Sequence, residues 1–235
     1  MLKYILVALV FIIFGASSEL AAVSVLPFFF FGLYFLMNVG PSGALVLALI
    51  GHIIYLLTIW LVHSRKFHKV SPLWLILSLA SAGIGGYIGA TTLNDVMRLK
   101  LYVLFLFFPF AMASFVAFLK KDFEIPRSFR PLQLAGIFLD AIAPAGNSYY
   151  KGFSPLNASL ASIVVIIVYL TAGIDLVKES ISGANFYLIG VALISAILGG
   201  IFARRWRNAV EESFWTRSLY PVLLWFSAYF ILRVI

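Results

Sequence analysis

The chain has 235 residues, 63% hydrophobic and only 11% charged, where a soluble domain usually carries about 25% charged residues. It contains no cysteine, which excludes disulfides, thiolate metal sites and cysteine-based sulfur relays. The net charge of +8 does not point to nucleic acid, because the basic residues are scattered over short segments between apolar runs and so report orientation in a bilayer.

Apolar runs follow one another at 2–17, 20–37, 43–63, 72–91, 99–119, 133–150, 157–177, 185–203 and 213–232. A helix of about 20 apolar residues crosses a bilayer core, so the expected class is an all-α polytopic membrane protein, multi-pass in the cell (plasma) membrane. The first run, MLKYILVALVFIIFGASSELA, has the lysine, apolar stretch and small residues of a signal peptide. It is read here as a retained transmembrane helix, residues 1–18. The second run, LPFFFFGLYFLMNVGPSG, is punctuated by Pro27, Gly32, Asn38 and Gly40, residues that interrupt regular helix. Its phenylalanines at 28–31 are expected to face lipid or fill the core.

Sliding the chain against itself brings residues 19–96 onto 133–210 without a gap. Leu20-Ala21 meets Leu134-Ala135, Gly32 meets Gly146, Pro41 meets Pro155, and Ala44 meets Ala158. Tyr55 meets Tyr169, Ser81-Ala82 meets Ser195-Ala196, and Gly85-Gly86 meets Gly199-Gly200. Coincident glycines and prolines imply two copies of one structural unit, so the chain divides into repeat 1 (19–119), a linker (120–132) and repeat 2 (133–235).

The basic residues orient the copies. Arg65, Lys66 and Lys69 follow the run 43–63; Lys120, Lys121, Arg127 and Arg130 lie in the linker; Arg204, Arg205 and Arg207 follow the run 185–203. Placing all three clusters in the cytoplasm requires 19–38 and 133–150 each to enter and leave on one side. The expected architecture is two inverted repeats, each a re-entrant or broken helical segment plus three transmembrane helices, with one extra N-terminal helix. Nine simple crossings with parallel copies is the competing layout, and it puts the Arg204 cluster outside.

The second copy's broken segment reads DAIAPAGNSYYKG over 140–152. Irregular backbone at membrane depth is tolerated where protein buries it or where it lines a cavity, and freed N–H groups at helix starts suit anions. Asn147, Ser148, Tyr149 and Lys151 are therefore candidate substrate-binding groups, with Asn38 in the analogous place of the first copy. Their plainer readings are satisfied backbone, a turn, and a lysine snorkelling to the interface. Asp140 and His52, at depth within apolar runs, are candidates for proton coupling; a helix cap and an interhelical hydrogen bond are the plainer readings. No metal site and no cofactor are implied.

The duplicated all-helical layout and the run GFSPLNASLAS (152–162) resemble the sulfite exporter TauE/SafE family, as does the Gly199-Gly200 helix followed by ARRWRN. The resemblance spans nearly the whole chain on short motifs. Family members carry Gly-x-Gly-Gly-Gly followed by Val-Pro in each copy's first segment, whereas this chain has Leu139-Asp140-Ala141 with Ala143-Pro144, and Ser24 to Phe28. The resemblance implies export of sulfite, sulfonates or related small organic acids, with Ser162 at the family's hydroxyl position. The partners it implies are a small anionic substrate, the lipid bilayer and a coupling ion, proton or sodium; a homodimer stays open. Two other functions are open: a non-transporting scaffold or assembly subunit, and an intramembrane hydrolase using Ser148 with His52, although no Gly-x-Ser-x-Gly elbow is present.

Overall fold

The computed structural model describes residues 1–20, 25–63, 71–101, 134, 135, 137, 138, 141, 142 and 155–206. Among them the regular structure is entirely helical. Helix α1 spans Leu2–Leu20; α2, Leu26–Phe31, runs on into a π-helical turn, Gly32–Leu36. Helices α3 (Pro41–His63) and α4 (Pro72–Thr92) follow, and α5 occupies 95–101. Helical residues at 134–135, 137–138 and 141–142 are together called α6. The remainder is α7 (Pro155–Ala172), α8 (Ile174–Ile181) and α9 (Phe186–Trp206). Prolines open α3, α4 and α7, where the missing N–H is one that a helix start leaves unbonded anyway.

Four of these helices are long and apolar enough to cross a bilayer, α1, α3, α4 and α9, and α7 with α8 makes a fifth if the pair counts as one span. The chain is a membrane protein by this criterion. The sequence predicts a single span over the apolar run 157–177. The run bends instead by 94° between α7 and α8. The hinge is Gly173, with φ −125° and ψ 25°. A Cβ there would already sit 3.3 Å from that of Ala90, so glycine lets the end of α4 close in on the hinge. Past it, α8 exposes Asp175, Lys178 and Glu179 and buries Val177.

Small residues set the packing, as expected where lipid supplies no hydrophobic drive between helices. A Cβ on Gly199 of α9 would collide with the Ile12 carbonyl of α1, and one on Gly85 of α4 with the Phe138 carbonyl of α6. Gly51 meets Leu193 and Gly200 meets Tyr55, so α3 and α9 run parallel. Tyr55 also reaches Gly15, while Gly51 lies near Phe29, whose ring lies at a tilt against that of Phe11; α1 thus follows the same direction. Gly86 faces Val165, Gly89 faces Tyr169 and Ile142, and Ala90 faces Gly173. Helices α4, α6 and α7 therefore form a second parallel set. The two sets are opposed, because the start of α3 lies against α8, where α7 ends.

Residues 19–38 were expected to dip in and return on one side. Their described part runs one way only: Phe11 pairs with Phe29 and Gly32, and Phe14 with Phe28, placing α2 antiparallel to α1. The folded-back element of the first half is α1 and α2 together. Phenylalanines 29, 30 and 31 are buried, so the run fills the core.

Candidate functional site

A buried polar cluster forms where α3 begins, α4 ends and α7 bends. Helix α4 closes with Thr91 and Thr92 donating back to the Tyr87 and Ile88 carbonyls at 2.7 and 2.5 Å. Leu93 is extended, and Asn94 then caps α5, its Oδ1 accepting the Met97 N–H at 2.8 Å. This turn sets Asp95 and Arg98 one helical turn apart, with Arg98 pointing inward at 0% exposure.

The Arg98 guanidinium spans several elements. Its Nη2 donates to the carbonyls of Gly89 (2.6 Å) and Leu93 (3.2 Å), satisfying acceptors that the end of α4 leaves over. Its Nη1 donates to the Ser42 hydroxyl. The Asp95 carboxylate stands 3.7 Å from Nη1, an ion pair without hydrogen-bond contact. The guanidinium carbon lies 5.0 Å from the ring centroid of Tyr169, within cation–π range. Nε–H is buried and finds no acceptor among the described residues.

Two hydroxyls complete the cluster. Ser42 donates to Asp95 Oδ1, and Ser180 of α8 approaches Oδ2 at 3.5 Å. Gly40 makes that approach possible: its N–H donates to the Ser180 carbonyl at 3.0 Å, and a Cβ on it would lie 2.9 Å from the Ser180 Cβ. The Asp95 side chain keeps 33% exposure, so one flank of an otherwise sealed cluster opens to solvent.

The two tyrosines that the alignment of the chain with itself pairs each donate to a carbonyl of a neighbouring helix. Tyr55 donates to the Gly15 carbonyl of α1 at 3.2 Å, with Glu19 Oε1 at 3.4 Å; Tyr169 donates to the Ile142 carbonyl of α6 at 3.4 Å.

The candidates named from sequence fall differently. Asp140, Asn147, Ser148, Tyr149 and Lys151 lie outside the described residues. Asn38 is exposed, with φ +55°, at the end of the π-helical turn, where Val39 N–H bonds back to the Leu33 carbonyl at 3.2 Å. Asparagine tolerates that left-handed geometry, so its place is a turn. Ser162 is buried on α7 one turn from buried Ser159, and His52 is buried on α3; neither belongs to the Arg98 cluster. Arg98, Asp95, Ser42 and Ser180 were not singled out from sequence. The signal for them was an arginine one turn inside an asparagine-capped apolar helix, a position that turns inward. Comparison with protein-family models, curated proteins and solved structures finds no match for this chain.

Proposed function

We propose that this chain is a secondary carrier for small anions such as sulfite, sulfonates or related organic acids, of the kind the TauE/SafE resemblance implies, working by movement of two inverted repeats in the plasma membrane. One observation carries the reading: several close contacts in one half have a counterpart in the other. Tyr55 on the Gly15 carbonyl matches Tyr169 on the Ile142 carbonyl, and Gly199 on Ile12 matches Gly85 on Phe138. Helices α4 and α9 start and end at equivalent places, Pro72 with Phe186 and Thr92 with Trp206. Equivalent helices point in opposite directions, which a two-fold axis in the membrane plane produces, and that is the plan of many secondary transporters.

On this reading α1 is the counterpart of α6, so the first repeat begins at α1 rather than at residue 19, and α2 is an addition within it. The linker 120–132 and the Arg204 cluster share the cytoplasmic side. A coupling ion, proton or sodium, drives the cycle.

The test is uptake and efflux of sulfite and of methanesulfonate by proteoliposomes holding the purified chain, beside protein-free vesicles. Gradient-dependent flux above the control is expected, and equal rates for every anion and gradient would end the carrier reading. Labelling of single cysteines placed at Lys120 and Arg205 checks the layout separately: both should react from the same face.

A further inference from the structure

We infer that Arg98 is an anion-binding residue of this carrier, and that Asp95 is a resident anion which leaves it when a substrate oxyanion arrives. The inference rests on the carrier reading and names the group that would hold the substrate.

The cluster is held together unevenly. Capping α4 engages Nη2 alone, through Gly89 and Leu93. A purely structural arginine–carboxylate pair would close into two parallel hydrogen bonds at about 2.7–2.9 Å. Here the carboxylate stays at 3.7 Å and, among the described residues, Nε–H is left without an acceptor at zero exposure. A buried, unpartnered guanidinium N–H is expensive, and an oxyanion removes the deficit.

The surroundings fit an oxyanion with three acceptor oxygens. Ser42 and Ser180 bring hydroxyls that now turn to Asp95. These donors, Arg98 and the Tyr169 ring come from α3, α5, α7 and α8, so the site joins both halves of the chain. With its side chain 33% exposed, Asp95 has solvent to swing into. An arriving anion would then take over Nη1, Nε and the two hydroxyls without disturbing the cap on α4. A sulfonate and a lipid phosphate share this chemistry; we assign the site to the soluble oxyanion.

Opposite effects from the two charged residues are the mark of this exchange. Full-length protein in detergent is titrated calorimetrically with sulfite and with methanesulfonate, and the flux assay is repeated on each variant. Arg98→Gln should weaken binding by at least about tenfold, the scale of one charge-assisted hydrogen bond. Asp95→Asn, which keeps acceptor and donor atoms near Ser42 and Ser180, should tighten it several-fold. A folded Arg98→Gln protein with unchanged affinity would overturn the inference. If that variant does not fold, Asp95→Asn decides alone: an affinity equal to or weaker than wild type overturns it. Competition by phosphatidylglycerol nanodiscs, with no binding of either soluble anion, would make a headgroup the ligand and overturn the substrate assignment. Unaltered flux in both variants would sink the inference yet leave the carrier reading standing, whereas absent flux in wild type strikes that reading itself.

Discussion

Substituting glycines one at a time along α4 measures how tightly the helices are pressed together. Gly83 and Gly85 lie in the same helix, two residues apart. A Cβ at Gly83 would meet Val164 Cγ1 at 3.6 Å, an ordinary contact, whereas a Cβ at Gly85 would collide with the Phe138 carbonyl oxygen and lie 3.0 Å from the Ala141 Cβ. Alanine in a helix interior is favoured over glycine by roughly 1 kcal/mol, and nothing at Gly83 offsets that gain. At Gly85 the obstacle is backbone, which cannot rotate aside, so α4 and α6 must separate; overpacking of this kind costs about 1–3 kcal/mol. Gly83→Ala should therefore be neutral to stabilising by up to ~1 kcal/mol, and Gly85→Ala neutral to destabilising by up to ~2 kcal/mol, a gap of about 1–3 kcal/mol between them. Helix α9 repeats the experiment: Gly190 has nothing within 4 Å, while Gly199 abuts the Ile12 carbonyl. Heat or SDS unfolding in mild detergent, followed by circular dichroism, gives the midpoints. Equal midpoints for Gly83→Ala and Gly85→Ala would refute the close α4–α6 approach, and equal midpoints for the α9 pair would refute that of α1 and α9.

Three further outcomes can be checked on the same preparations. Tyr55→Phe and Tyr169→Phe each remove a hydrogen bond to a carbonyl of the neighbouring helix and should each destabilise by about 0.5–1.5 kcal/mol, read from SDS midpoints; stabilities at wild-type level would mean these bonds do not form. At Asn38, where φ is +55°, Asn38→Gly should be neutral or stabilising and Asn38→Val destabilising by about 1–2 kcal/mol, measured by thermal unfolding. Because the chain has no cysteine of its own, Gly40→Cys with Ser180→Cys should form a single disulfide on mild oxidation after a shift of some tenths of an ångström, since a Cβ on Gly40 would lie 2.9 Å from that of Ser180 and disulfides need about 3.5–4.5 Å. The shift in gel mobility, reversed by reductant, reads it out, and failure to cross-link would displace α8 from the start of α3.

What could be read from the sequence depended on which property carried the information. Helix starts and close approaches were legible because prolines and glycines mark backbone geometry directly: Pro41 and Pro155 each open a helix, and Gly85 and Gly199 each admit a neighbouring carbonyl. Further upstream the aligned residues and the contacts differ. Leu20-Ala21 and Leu134-Ala135 align by residue type, yet it is Ile12, not Leu20, that stands to α9 as Phe138 stands to α4. Leucine and alanine constrain the backbone weakly, so their coincidence in so apolar a chain carried little weight beside contacts made through a backbone oxygen. The bend after Ala172 escaped for the complementary reason: hydropathy continues past Gly173, and only the charges of Asp175, Lys178 and Glu179 mark a change in the helix beyond it.

Arg98 and Asp95 show the limit of counting charges by loop. Both sit in a short connection between two apolar runs, where a charge informs by its side of the bilayer and not by its direction. The cap at Asn94 changes that reading, since it starts a helix immediately and turns the fourth residue after it toward the bundle. A charge so close to an apolar helix start is either solvated at the interface or drawn under it. The carbonyls freed at the end of α4 and the face of Tyr169 supply what an arginine needs to be drawn under. They satisfy Nη2 and cover the guanidinium face, but among the described residues leave the carboxylate at arm's length and Nε–H idle. Capping alone therefore accounts for only part of this arginine, and the part left over is what the proposed anion site rests on.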